Sequence, residues 1–177
     1  MAGSTAAAWT LPAALVAMLA PDSPGAAETA AAAMTGFGLT GTWSEDCAKD
    51  PAKEGARLTY SPPGARTPSY LFVLFDNIGN KITFSADVLS ANRLPSGKIK
   101  TVTVKTGRNG DATALQPWER VPVETIIVKV GPKIQSVQSR QVNGGRRFIV
   151  DGQIVAENAR GELQTIKPAP LLEKCAG

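Results

Sequence analysis

Turn chemistry recurs at short intervals along most of this chain, and that spacing limits the fold more than any single motif does. Asp76-Asn77-Ile78-Gly79-Asn80, Arg108-Asn109-Gly110-Asp111, Gly131-Pro132, Asn143-Gly144-Gly145 and Asp151-Gly152 each interrupt the chain, and Arg93 to Gly97, Pro117 and Pro122 divide the two longer intervals between them. The runs between these signals have strand length. Ser69 to Phe75 (SYLFVLF) is the most apolar stretch outside the first residues and suits a strand packed on both faces. Lys81 to Val88 alternates, with Ile82, Phe84, Ala86 and Val88 on one side and Lys81, Thr83, Ser85 and Asp87 on the other. That is the pattern of a half-buried strand, and the two runs form the best hairpin in the sequence.

Further strands are read at residues 40–45, 57–60, 98–106, 123–130, 133–142, 146–150, 153–156 and 162–167. In Lys98 to Thr106 (KIKTVTVKT) the apolar phase slips between Ile99 and Val102. Either a bulge or a set of polar positions facing a wet cavity accounts for the slip. No segment has the spacing of a convincing amphipathic helix. The expectation is an all-β fold, an antiparallel up-and-down barrel of about eight strands, because closure removes unpaired edges; a sandwich is the alternative.

The first 35 residues are different in kind. They hold no Lys or Arg, and Leu11 to Ala20 is a short apolar run followed by Pro21-Asp22-Ser23-Pro24-Gly25. Small residues near Ala26-Ala27 and Ala30 to Ala33 offer cleavage points. This reads as a secretory signal peptide, although it lacks a basic n-region; the run is too short to span a bilayer. The expected organisation is a leader over residues 1–35 and one β domain over 36–177, entered through a flexible Met34–Leu39 segment. The expected location is the periplasm or the cell exterior. Cys47 and Cys175 are the only cysteines, and in an exported chain they are expected to form one disulfide. In a cytosolic chain they would remain two thiols.

Removing the leader takes Asp22 and Glu28 with it, leaving nineteen cations against thirteen carboxylates, a charge of +6. The basic residues are dispersed, so nucleic acid is not an expected partner. Peripheral contact with anionic surfaces is compatible with the charge.

Gly41-Thr42-Trp43, near the start of an exported all-β chain, resembles the G-x-W motif of the lipocalin and calycin barrels. The resemblance implies that Trp43 closes one end of a barrel and that Gly41 and Trp43 are structural. A cysteine soon after the motif and another near the C-terminus are similar to small exported bacterial lipocalin-like proteins, periplasmic metalloprotease inhibitors among them. No equivalent of the family's later T-D-Y-type triplet is present. Arg146 and Arg147 are the candidates for a basic side chain packed over Trp43.

The chain has no histidine, which removes Ser-His-Asp and Cys-His catalysis and the usual zinc ligands. No metal or cofactor site is read, and no dinucleotide or phosphate-binding loop is present. Glu45-Asp46 point to opposite faces of a strand, and Glu119 and Glu124 flank the Trp118 loop without the spacing a glycosidase demands. Ser139-Arg140 and Arg146-Arg147 are basic points on neighbouring strands, suited to a solvated edge or to an anion. The expected function is therefore non-catalytic binding by a monomer. The ligand is small and apolar or amphipathic, held by Phe84, Val102, Val104, Ile126, Val128 and Phe148, with Ile82 and Val150 also facing inward. The alternative is a protein-interaction module, such as an inhibitor that inserts Met34–Leu39 into an enzyme cleft.

Overall fold

A computed structural model describes residues 28–49, 55–62, 70–75, 81–109, 117–158 and 160–176. A helix, α1 (Ala30–Phe37), precedes eleven strands: β1 (Gly41–Ser44), β2 (Gly55–Tyr60), β3 (Tyr70–Phe75), β4 (Lys81–Arg93), β5 (Ile99–Asn109), β6 (Val123–Val130), β7 (Lys133–Gln141), β8 (Arg147–Val150), β9 (Gln153–Glu157), β10 (Leu163–Pro168) and β11 (Glu173–Lys174). A short 3-10 turn, Pro117–Arg120, lies between β5 and β6.

The expected antiparallel β architecture is present, with one helix added to it. Each strand from β1 to β10 pairs with the next in sequence, and β11 returns to pair with β1. The hairpin read from SYLFVLF and KITFSADV is β3–β4, with Phe72 opposite Phe84. A closed barrel is not found. The ladder has two ends, β10 and β11, which do not pair with each other. The reason lies in β7, whose two halves have different neighbours. Near Ser139 it pairs with β8, which begins a three-strand extension. Near its start, Ile134 and Leu172 exchange two backbone hydrogen bonds of 2.9 Å, a single bridge to the segment that enters β11.

The polar-face explanation accounts for the phase slip in β5. Ile99 and Thr101 are both buried, and the strand alternates regularly through this stretch. The neighbouring irregularity is in β4, where Leu89 is skipped in the pairing between Val88 and Ser90 and stands 55% exposed. The extra residue resets the phase, so Ala91 is again buried.

The flexible entry expected over Met34–Leu39 is instead helix and core. Ala30, Ala33, Met34 and Phe37 follow the i, i+3, i+4, i+7 spacing of a helix face, and the last three are buried. Thr29 caps the helix, its Oγ1 accepting from the Ala32 amide at 3.2 Å. Gly38 ends it at φ 79°; its amide donates to Thr35 O, and the Leu39 amide donates to Met34 O at 2.8 Å. That pair of bonds is a Schellman ending, which needs a left-handed residue and finds it in glycine. The packed unit thus begins ahead of residue 36. Glu28 belongs with it, since its carboxylate pairs with the Arg93 guanidinium at 2.8 Å.

The core gathers Ala33, Met34, Phe37 and Leu39 with Trp43, Tyr60, Val88, Ala91, Ile99, Ile127 and Ile134. Trp43 Nε1 donates to Leu39 O at 2.7 Å, which satisfies the indole inside this cluster. Gly41 has φ 119°, and a β-carbon there would come within 2.8 Å of Lys174 Cε. The glycine therefore lets Lys174 cross β1 and set its Nζ 5.6 Å from the centre of the Trp43 ring. Lys174, not Arg146 or Arg147, supplies the cation over this tryptophan. Cys47 and Cys175 form a disulfide that spans 128 residues and holds the exit of β1 to the end of the chain.

Candidate functional site

β5, β6 and β7 each present hydroxyl groups on the face that carries the core. Thr101 and Thr103 of β5, Thr125 of β6, and Ser136 and Ser139 of β7 line one side of a cavity of about 260 Å3. Strand alternation explains the set on β5: Thr101, Thr103 and Lys105 share a face with buried Ile99. On β7 an extra residue, Val137, lies between the partners of Ile126 and Ile127, which keeps both Ser136 and Ser139 on the cavity side. Thr125 and Ser139 hydroxyls lie 3.1 Å apart, and Thr101 Oγ1 donates to Thr125 O at 3.5 Å.

The other walls are apolar or aromatic. They come from Leu58 and Tyr60 of β2, Tyr70 of β3, Phe84 and Ala86 of β4, Val123 of β6, and Phe148 and Ile149 of β8. A second chamber of about 130 Å3 adjoins the first and shares Leu58, Tyr60, Tyr70, Ser136 and Ile149 with it. Its own walls are Ile127, Ile134, Ala169, Pro170 and Leu172, with Arg57 at the edge. The Arg57 guanidinium donates to Lys49 O at 2.9 Å in an exposed contact. The cavity is thus polar at one end and apolar at the other.

Tyr60 and Tyr70 stand where the chambers meet, their rings edge to face with centroids 5.3 Å apart. Burial pushes the Tyr70 phenol up to about 12. Burial also raises Tyr60 well above its ordinary 10.0, with the neighbouring Tyr70 as a second cause. Both are neutral hydroxyls at physiological pH.

Among the described residues of the larger chamber's lining, Lys105 is the charged one. Its Nζ lies 3.0 Å from Glu119 Oε1 and 4.4 Å from the centre of the Phe84 ring. The Glu119 side chain is only 2% exposed, and the 3-10 turn that carries it packs beside β5. Among the described residues no buried side-chain nitrogen or oxygen lacks a hydrogen-bond partner.

Of the six residues expected to hold a ligand, Phe84 and Phe148 line the cavity together. Val102 and Val104 alternate with the inward threonines and so occupy the opposite face of β5. Ile126 lies in an outer groove with Lys98, Val137, Gln138 and Asp151, and Val128 shares its phase on β6. The valines of β5 were expected inside, with polar positions facing a wet cavity kept as one account of the strand's irregular phase; Thr101, Thr103, Lys105, Thr125, Tyr60 and Tyr70 were not among the expected ligand contacts. The phase slip in KIKTVTVKT was the available signal.

The basic points Arg140, Arg146 and Arg147 come together around the Gly144-Gly145 turn, in a wide groove open to solvent. Arg140 Nη2 lies 3.2 Å from Glu124 Oε1, and the Arg146 guanidinium sits 5.8 Å from the centre of the Phe148 ring. These contacts read as a solvated edge, and the more enclosed double chamber is the stronger candidate site. Among the described residues no three Cys, Asp or Glu side chains gather as metal ligands do, and no helix is long and apolar enough to cross a membrane. Compared with protein-family models, with curated proteins and with solved structures, the chain matches none of them.

Proposed function

We propose that this chain is an exported, non-catalytic binding protein that holds a small amphipathic ligand in the double chamber, in the manner of the lipocalin-like barrels it resembles. The observation that carries the reading is the cavity: about 260 Å3 with a hydroxyl-bearing side, joined to about 130 Å3 of mostly apolar wall. Small-ligand sites are concave, largely apolar and carry a few placed polar groups, which describes this space. A core meant only for packing would fill it with side chains. The Cys47–Cys175 disulfide suits an oxidising compartment, periplasmic or extracellular, and supports export.

The inhibitor reading through Met34–Leu39 has less support, because Met34, Phe37 and Leu39 are core residues whose withdrawal would open the fold. Native mass spectrometry of protein recovered from its host tests the binding reading. The expected result is a bound mass of lipid size, lost in the Ser136→Phe variant, whose new ring fills the space where the two chambers share a wall. An empty protein whose melting temperature is indifferent to added lipid extract counts against it.

A further inference from the structure

We propose that the ligand of this cavity bears an uncharged polar end, a hydroxyl or a carbonyl, and that the Lys105–Glu119 pair sets this preference. The inference rests on the cavity-binding reading and names the class of ligand it takes.

Charge balance decides the head group here, because Lys105 is half-buried and Glu119 is fully buried. Apart from Lys105, the polar side chains of the described residues lining the larger chamber are hydroxyls, those of Thr101, Thr103, Thr125, Ser136 and Ser139 together with the two phenols. Hydroxyls donate and accept, so they meet an alcohol or a carbonyl equally well. Lys105 is positioned to meet an anion, yet Glu119 Oε1 already stands 3.0 Å from its Nζ. With its side chain 2% exposed, Glu119 is withdrawn from water, and the Lys105 ammonium is among its partners. A carboxylate entering the chamber would either compete with Glu119 for the ammonium or sit as a second negative charge beside it. Either outcome leaves a charge poorly balanced beside the buried Glu119 carboxylate. An amine would meet the Lys105 ammonium and the positive edge at Arg57. A neutral head avoids both costs, while its tail has the Ile127, Ile134 and Leu172 chamber to occupy.

Three probes with one tail isolate the head: 1-octanol, octanoate and octylamine, titrated calorimetrically at neutral pH into the disulfide-intact protein. Octanol is expected to bind about tenfold or more tightly than either charged probe. Glu119→Gln takes a negative charge from beside the lysine, so octanoate is expected to gain about tenfold while octanol changes little. Should that variant not fold, Glu119→Asp shortens the carboxylate's reach to the ammonium, and octanoate is expected to gain there too, by less; an unchanged octanoate affinity in it counts against the pair. Octanoate or octylamine equalling octanol in the unaltered protein overturns the inference and leaves the cavity reading standing. So does a Glu119→Gln protein that folds without any gain for octanoate. Failure of all three probes to bind overturns the cavity reading and the inference with it.

Discussion

Trp43 Nε1 donates to the carbonyl of Leu39 at 2.7 Å, and through that bond the first strand holds the end of the only helix among the described residues. The bond is buried, so its loss strands a carbonyl among apolar side chains. Trp43→Phe is expected to lower unfolding free energy by about 1–3 kcal/mol, combining an unpaired acceptor with lost ring volume. Urea unfolding of the variant checks this; an unchanged midpoint would show that the indole bond is dispensable.

Gly41 occupies a backbone angle of φ 119° and lies under the Lys174 side chain. Gly41→Ala brings both backbone strain and a collision with Lys174 Cε, which can swing away at the expense of its place over Trp43. The expected cost is about 1–3 kcal/mol, most of it from the backbone. Lys174→Ala in the same background separates the terms: if it restores full stability, the collision and not the backbone was the cause.

The disulfide encloses 128 residues of sequence separation. In the chain-entropy account a loop of that size stabilises by roughly 4–5 kcal/mol, an upper figure where the unfolded chain keeps some structure. Cys47→Ser with Cys175→Ser should therefore fold in vitro with a sharply lowered melting temperature. A matching loss on adding reductant to the unaltered protein would assign the effect to the bond and not to the serines.

Tyr60 and Tyr70 are the only tyrosines in the chain, so phenolate absorbance reads the cavity directly. Burial raises both, Tyr70 to about 12. In the unfolded chain phenols ionise near pH 10. The folded state binds more protons than the unfolded state between these values, so this contribution is fully present below about pH 10 and is lost as pH rises towards about 12. A spectrophotometric titration should show little phenolate at pH 10 and a step coupled to unfolding above it. Two free phenols titrating at the ordinary value would mean that the chamber junction is wet.

The position of α1 bears on processing. Under the export proposed above, leader cleavage at Ala26-Ala27 keeps the Thr29 cap and the Glu28–Arg93 ion pair, whereas a cut within Ala30 to Ala33 removes part of the packed helix. The mature N-terminus is expected at or before Glu28. N-terminal sequencing of exported protein decides it, and a stable product that starts beyond Ala33 would contradict the packing of this helix.

Much of the sheet was legible because its signals are local. Asn143-Gly144 and Asp151-Gly152 take positive φ at the turns where they were read, and in β4 buried Ala86 and Val88 alternate with exposed Asp87. The helix was missed although its spacing and caps were in view, because an alanine-rich run looks alike in a leader and in a packed helix. Only Trp43 and its neighbours distinguish the two.

By itself the sequence determined the antiparallel meander, the cysteine pair and the absence of histidine chemistry, since turn residues, alternation and composition act over a few positions. Tertiary structure decided which face of β5 and β6 looks inward. Hydrophobicity favours Val102, Val104 and Ile126 for the interior, but side chains on one strand face are bound to a common direction. Buried Ile99 and Ile127 committed Thr101, Thr103 and Thr125 to the same side. The cost of that choice is met where the hydroxyls find partners across the sheet, and the result is a cavity that is polar where the strand pattern alone had placed valine.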